Sequence, residues 1–332
     1  MREALREALF EEMRRDGRVV VFGEDIADPM GGSYKVTLGL STEFGPARVR
    51  NTPISEAAIV GTAVGAAISG LRPVAEIMYM DFLGIAMDQM VNQAAKMRFM
   101  SGGQVSVPLV IRCQGGPGRA SAAQHAQMLE AWFAHVPGLQ VVMPSNPADG
   151  KALLKAAIRS DNPVLFFEYN GLYNVRGPVP DPEEDRLAPI GVAKVVREGR
   201  DISIVAWSGM TRMALEAADR LQEEDGVAAE VIDLRTVSPW DKETVLASFR
   251  KTRAMVVAHQ AVRQGGFGAE IAATVYEEML DFIDVEIGRV GARFSPTPFA
   301  PALEREVVPG TAEIVREARE VLSRGGRLER RA

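Results

Sequence analysis

With 332 residues, 47% of them hydrophobic and 25% charged, the chain has apolar material for two cores and is expected to form two domains. Net charge is −6, and basic residues are scattered except in the last nine, "RGGRLERRA". That argues against nucleic acid as a partner and makes the end a solvated tail. The single cysteine, Cys113, rules out an internal disulfide, and no apolar run suits a signal core or a membrane span. A cytoplasmic-type or mature organellar chain with no membrane partner is the expectation.

The opening helix carries Leu5, Leu9 and Met13 on one face and breaks at Asp16-Gly17. "RVVVFGEDI" then reads as a buried strand. Further strands are predicted at "PVAEIMYM", "VPLVIRC", "LQVVMPS" and "PVLFFEY". Helices are predicted from Ser55, near Gly84 and from Ser145, where "SNPADGKALLKAAIR" supplies a cap, an early proline and an acid in the first turn. Residues 171–190, rich in proline and acid and without period, read as a linker. A second alternation follows: "DISIVAWSGM", a helix over 211–224, "AAEVIDLR", "AMVVAHQ", a helix after "GGFG", "VEIGRVG" and a final helix near 312–323. The expected fold is α/β with two domains in series, 1–185 and 186–325, each built on a mainly parallel sheet, followed by a basic tail over 326–332.

Three stretches carry candidate chemistry. In "TPISEAAIVGTAVGAAISGLRP" the lone carboxylate, Glu56, heads a segment of small apolar residues. Ser55 can cap that helix, and an acid in the first turn suits its positive end, which is the ordinary role for such a residue. The small residues around the whole circumference instead mark a helix buried on all sides, with a carboxylate screened from water at its mouth and no neighbouring Lys or Arg. "RCQGGPGRASAAQHAQM" is a glycine-rich loop leading to His125, an acid/base candidate, though it matches no phosphate-cradle motif. His135, in "WFAHVPGL", reads as a packed core histidine. "RQGGFGAEIAATVYEEM" places Gly265, Gly266 and Gly268 before a helix, where turn geometry is explanation enough. One cysteine and three histidines do not build a zinc centre.

Taken together, "TPISEAAIVGTAVGAAISGLRPVAEIMYMDF", "DQMVNQAAKMRFMSGGQ", "AAQHAQMLEAWFAHVPGLQVVMPSNPADGKALLKAAIRSDNPVLFFE" and "GGFGAEIAA" resemble the β subunit of the thiamine-diphosphate-dependent decarboxylase component of 2-oxo acid dehydrogenase complexes. The resemblance runs from about residue 3 to 322. It implies a pyrimidine-binding domain followed by a transketolase C-terminal-like domain. It puts Glu56 in the place of the cofactor-activating glutamate, which hydrogen-bonds a ring nitrogen of the aminopyrimidine and favours its imino tautomer. Ile54, Met78 and Phe82 match residues that pack around that ring, with Met78 where some relatives have Gln. His125 matches the histidine of a "QHSQ" loop that assists transfer to a lipoyl group; here the loop reads "QHAQ", with Ala126 for serine. Structural potassium is implied at the backbone oxygens of Leu109, Ala157, Ile158, Ser160 and Asn162. Gln260 stands where Glu is frequent.

The Gly-Asp-Gly motif that holds Mg²⁺ and the diphosphate in such enzymes occurs nowhere in the sequence. The resemblance therefore implies a partner α subunit that carries it, in an α2β2 tetramer, and a lipoyl-bearing acyltransferase as acceptor. Pyruvate-type 2-oxo acids or acetoin are the expected substrates. A branched-chain subunit, a self-sufficient transketolase-like enzyme and a non-catalytic homologue are the alternatives.

Overall fold

The computed structural model describes residues 1–326, so the basic tail expected over 326–332 lies, from residue 327 on, outside the described residues. Two compact units form. The first holds residues 1–115 and 132–190, the second 116–131 and 191–326 of the described chain, so the His125 loop groups with the second unit although it interrupts the sequence of the first.

The first unit contains α1 (Arg2–Arg15), β1 (Val19–Gly23), α2 (Leu40–Phe44), β2 (Val49–Asn51), α3 (Glu56–Ile68), β3 (Arg72–Tyr79), α4 (Met97–Met100) and β4 (Val110–Gly115). After the excursion come α5 (Glu130–Ala134), β5 (Gln140–Val142), α6 (Pro147–Arg159) and β6 (Val164–Tyr169). Its strands lie in the order β5-β6-β4-β3-β1-β2, all pairs parallel. Their Val/Ile/Phe-rich runs are buried on both faces, as a parallel sheet requires. On α1, Leu5, Leu9 and Met13 fall on one face and are fully buried where α1 packs on α6, each contributing about 1.5–3 kcal/mol. The cap of α6 is Asn146, one residue beyond the predicted start, its side chain accepting from the Asp149 N–H at 3.0 Å.

Near Gly84 the chain departs from the expected α-helix. Residues Met80–Ala86 wind as a tight 3-10 turn, and Gln89–Ala94 as a wide π turn in which the Ala95 N–H reaches the Met90 carbonyl. Such irregular turns cluster where side chains are being aimed.

In the second unit come β7 (Lys194–Arg197), β8 (Ile202–Ala206), α7 (Gly209–Asp225), β9 (Ala229–Asp233), β10 (Thr236–Ser238) and α8 (Lys242–Thr252). They are followed by β11 (Met255–Val262), α9 (Gly268–Glu278), β12 (Gly288–Ala292), α10 (Pro301–Val307) and α11 (Thr311–Arg324). Its sheet runs β12-β11-β8-β9-β7, parallel except for β7 at the edge. The core is the apolar face of α7 and α11, with Ala214, Ala218, Leu221, Ile314, Ala318 and Val321 packed together with strand residues.

Candidate active site

In the first unit, β1 leads to β2 on one side while its neighbour β3 leads to β4 on the other. The crevice outside the C-terminal ends of β1 and β3 is therefore a topological switch point, where open α/β sheets bind ligands. Glu24 follows directly on β1, and Met78 sits near the end of β3. Glu56 is the first residue of α3 and only 6% exposed. Burial raises the Glu24 carboxyl, and the charge of Glu56, then that of Asp25, raise it further. Two shielded carboxylates thus face each other's field, and neither has a hydrogen-bond or ion-pair partner among the described residues. Thr52 Oγ1, between β2 and α3, is also buried without a partner.

The sequence expectations around Glu56 need two corrections. Ser55 occupies the N-cap position of α3 but makes no side-chain capping bond. Nor is α3 buried on all sides: Ala58, Thr62 and Gly65 are exposed, because within this chain the helix covers the sheet with one face only. α3 packs against β3 and the 3-10 turn, so Phe82 lies on an element adjacent to Glu56, edge-on to Tyr79 at 5.6 Å between ring centres. Met78 and Phe82 are half-buried, whereas Ile54 is 81% exposed. A shielded carboxylate acceptor with no partner among the described residues, beside a second carboxyl, fits a flat ring that offers an N–H. Sequence reading missed Glu24 by absorbing "GEDI" into the strand; an acid directly after a buried parallel strand was the available signal.

Behind this crevice lies a buried ion cluster. Arg112, 2% exposed, donates to both Glu168 oxygens at 2.7 and 2.9 Å and to Glu76 at 2.7 Å, while the Tyr173 hydroxyl donates to Glu168 at 2.6 Å. One guanidinium thus serves two carboxylates, and burial pushes the Glu76 carboxyl up despite the pairing. Cys113, next along β4, is buried, and burial pushes its thiol well above the ordinary range, which makes it inert.

The positions implied for potassium are already engaged. The Leu109 carbonyl accepts from the Val164 N–H at 2.8 Å and the Ala157 carbonyl from the Ser160 N–H at 3.2 Å. Arg72 Nη1 donates to the carbonyls of Ile158 and Ser160 at 3.1 and 3.0 Å. The Asn162 N–H donates to Ser160 Oγ at 3.1 Å. Each of the accepting carbonyls keeps a second lone pair for an alkali cation, while the Arg72 guanidinium on two of them opposes one by charge repulsion.

His125 belongs to the second unit. It is half-buried, and its carbonyl accepts from Ser121 Oγ at 3.0 Å. Ala126, which replaces the hydroxyl residue, and Gln260 line one cavity of about 280 Å³. Both amide atoms of Gln260 are buried without a hydrogen-bond partner among the described residues. His135 is exposed, contrary to the packed reading: the short α5 turns Trp132 and His135 outward while Phe133 packs edge-on to Phe167. The buried histidine is His259 on β11, stacked on Trp207 at 5.3 Å. It also explains two of the "GGFG" glycines, since a Cβ at Gly266 or Gly268 would lie 2.5 or 2.8 Å from its ring.

Burial lowers the His259 pKa to about 4, below the ordinary value of 6.5. Between those values the unfolded chain holds the proton and the folded chain does not, so stability falls as pH drops from 6.5 towards 4. Chemical denaturation of the wild type should show a loss on the order of 3 kcal/mol across that window beyond the loss in His259→Gln. Parallel pH curves for the two proteins would contradict this.

Residues 1–176 match the transketolase pyrimidine-binding domain family and residues 191–314 the transketolase C-terminal domain family. The chain is 46% identical to the pyruvate dehydrogenase E1 component subunit beta-2, mitochondrial, of Oryza sativa subsp. japonica, over 96% of this chain and 85% of that protein. The chain belongs to the family of 2-oxo acid dehydrogenase E1 β subunits. The beta subunit of acetoin:2,6-dichlorophenolindophenol oxidoreductase from Cupriavidus necator is 44% identical over 97% of this chain and 97% of that protein. Among solved structures, a split-gene transketolase described as an inactive beta4 tetramer superposes with a TM-score of 0.78 at 27% identity, covering 97% of this chain and 98% of that one. The sequence carries no Gly-Asp-Gly motif, and among the described residues no group of three or more His, Cys, Asp or Glu could hold a metal ion. No helix among the described residues is long and apolar enough to cross a membrane.

Proposed function

We propose that this E1 β subunit supplies the aminopyrimidine half of a thiamine diphosphate site and that an α subunit bearing the Gly-Asp-Gly motif supplies Mg²⁺ and the diphosphate grip, in an α2β2 assembly. The observation that carries the reading is Glu56, shielded, without a partner among the described residues, and beside Glu24 at the switch point. The bound cofactor supplies the carbon nucleophile for a 2-oxo acid of the pyruvate type or for acetoin. Glu56 accepts the ring N–H and holds that proton in place; Met78, Phe82 and Ile54 orient the ring. His125 moves a proton as the acyl group passes to a lipoyl domain of the acyltransferase component. Support for the substrate class is the likeness to pyruvate dehydrogenase and acetoin oxidoreductase β subunits. The related β chain solved as an inactive tetramer is in line with a half-site.

The test is turnover of pyruvate and of acetoin with a dye acceptor. Purified alone, the chain should turn over neither; mixed with its α partner, it should turn over one. Activity of the chain alone would refute the shared site. For potassium at the Leu109, Ala157, Ile158, Ser160 and Asn162 oxygens, the expected outcome is a higher melting temperature in potassium than in sodium chloride at equal ionic strength. Equal values would remove it.

A further inference from the structure

The loop that carries His125 is held in an unusual way. Gly116, Gly118, Ala120 and Ala122 all have positive φ, at 92°, 104°, 54° and 62°. For the two alanines this is an unfavourable conformation, which persists only where surrounding contacts over-determine it. At Gly116 the N–H donates to the Gln127 carbonyl at 3.4 Å, and at Gly118 and Ala120 the contacts come from Glu304, on α10 of the same unit. Its carboxylate is 5% exposed, and its two oxygens accept from the N–H groups of Gly118 at 2.7 Å and Ala120 at 3.0 Å. These are charge-assisted bonds to two backbone donors two residues apart, roughly twice as strong as neutral ones. One carboxylate thus fixes alternate residues of the loop just ahead of Ser121, whose hydroxyl closes the turn onto the His125 carbonyl.

We propose that Glu304 is a positioning residue for acyl transfer: it sets the place of His125 by clamping residues 118–120, without touching substrate or cofactor. The proposal rests on the role given to His125 above. Replacing the carboxylate frees two backbone N–H groups and removes the bond that holds Ala120 at positive φ, so the loop ahead of His125 loosens.

Glu304→Gln, which keeps one accepting oxygen and the side-chain shape, and Glu304→Ala are compared with the wild type in the complete α-plus-β enzyme. Two rates are read: dye-coupled decarboxylation and acylation of a lipoyl domain. In Glu304→Ala, acylation should fall at least tenfold further than decarboxylation, with partial recovery in Glu304→Gln. Hydrogen exchange at the Gly118 and Ala120 amides should speed up at least tenfold in Glu304→Ala, a readout that needs no activity and stands even if the assembled enzyme has a different substrate. Unchanged exchange, or an equal fall in both rates together with a lowered melting temperature, would overturn the proposal. A wild-type pair that fails to acylate any lipoyl domain, with the exchange effect intact, would sink the function assigned to His125 and leave the clamp standing.

Discussion

Glu56→Gln, assembled with its α partner, should lose about 10²–10³-fold in turnover while its melting temperature stays level or rises. Within the chain the Glu56 carboxylate has no hydrogen-bond or ion-pair partner among the described residues, so neutralising it removes no internal bond. It does remove a repulsion, because its charge raises the neighbouring Glu24 carboxyl. A shielded carboxylate set against a like charge at a switch point marks a candidate ligand site. The glutamine keeps the shape but offers the ring N–H a weaker acceptor and no charge. Two measurements decide it, turnover and thermal unfolding. Loss of both together would make Glu56 an ordinary structural residue.

Arg112→Met should destabilise the protein by about 3–5 kcal/mol in chemical denaturation. Arg112 is the only cation holding Glu168 and Glu76 among the described residues; Arg112 and Glu168 are buried and the Glu76 side chain is 13% exposed. Methionine fills the space and leaves two buried carboxylates, which must either stay charged without a partner or take up protons. Glu76 is already pushed up by burial with the arginine present. A carboxyl whose folded pKa is raised binds more protons in the folded than in the unfolded state, so stability falls as pH rises. The penalty of the substitution should therefore be smaller at pH 5 than at pH 8. A penalty independent of pH would show that lost packing, rather than stranded charge, is the cause.

Much of the architecture was legible from the residues. The Val- and Ile-rich runs of β1, β3, β4, β6, β8, β9 and β11 could only be buried strands, and the Leu5, Leu9 and Met13 stripe could only be a helix face. α8 was overlooked although its signals were present: Asp241 caps it by accepting from the Thr244 N–H at 3.0 Å, and Val245, Leu246 and Phe249 form its buried face. Other features depend on tertiary partners and have no local signature. That His135 is exposed and His259 buried follows from the shortness of α5 and the stacking of Trp207, not from the residues beside each histidine. Arg72 reads as a surface charge until the carbonyls of Ile158 and Ser160 are found on it, 86 and 88 residues away. Glu304 lies 184 and 186 residues from the loop it holds. At the candidate site, Glu56 was found from its setting and from resemblance, while Glu24 was hidden because a strand end and a ligand edge look alike in one dimension.

Calorimetric titration of thiamine diphosphate with Mg²⁺ into the β chain alone, the α chain alone and their mixture reaches the core of the account. If the diphosphate and the ring are gripped by different polypeptides, tight binding with one cofactor per αβ pair should appear only in the mixture, and Glu56→Gln should weaken it there. Tight, saturable binding by the β chain by itself would contradict the account.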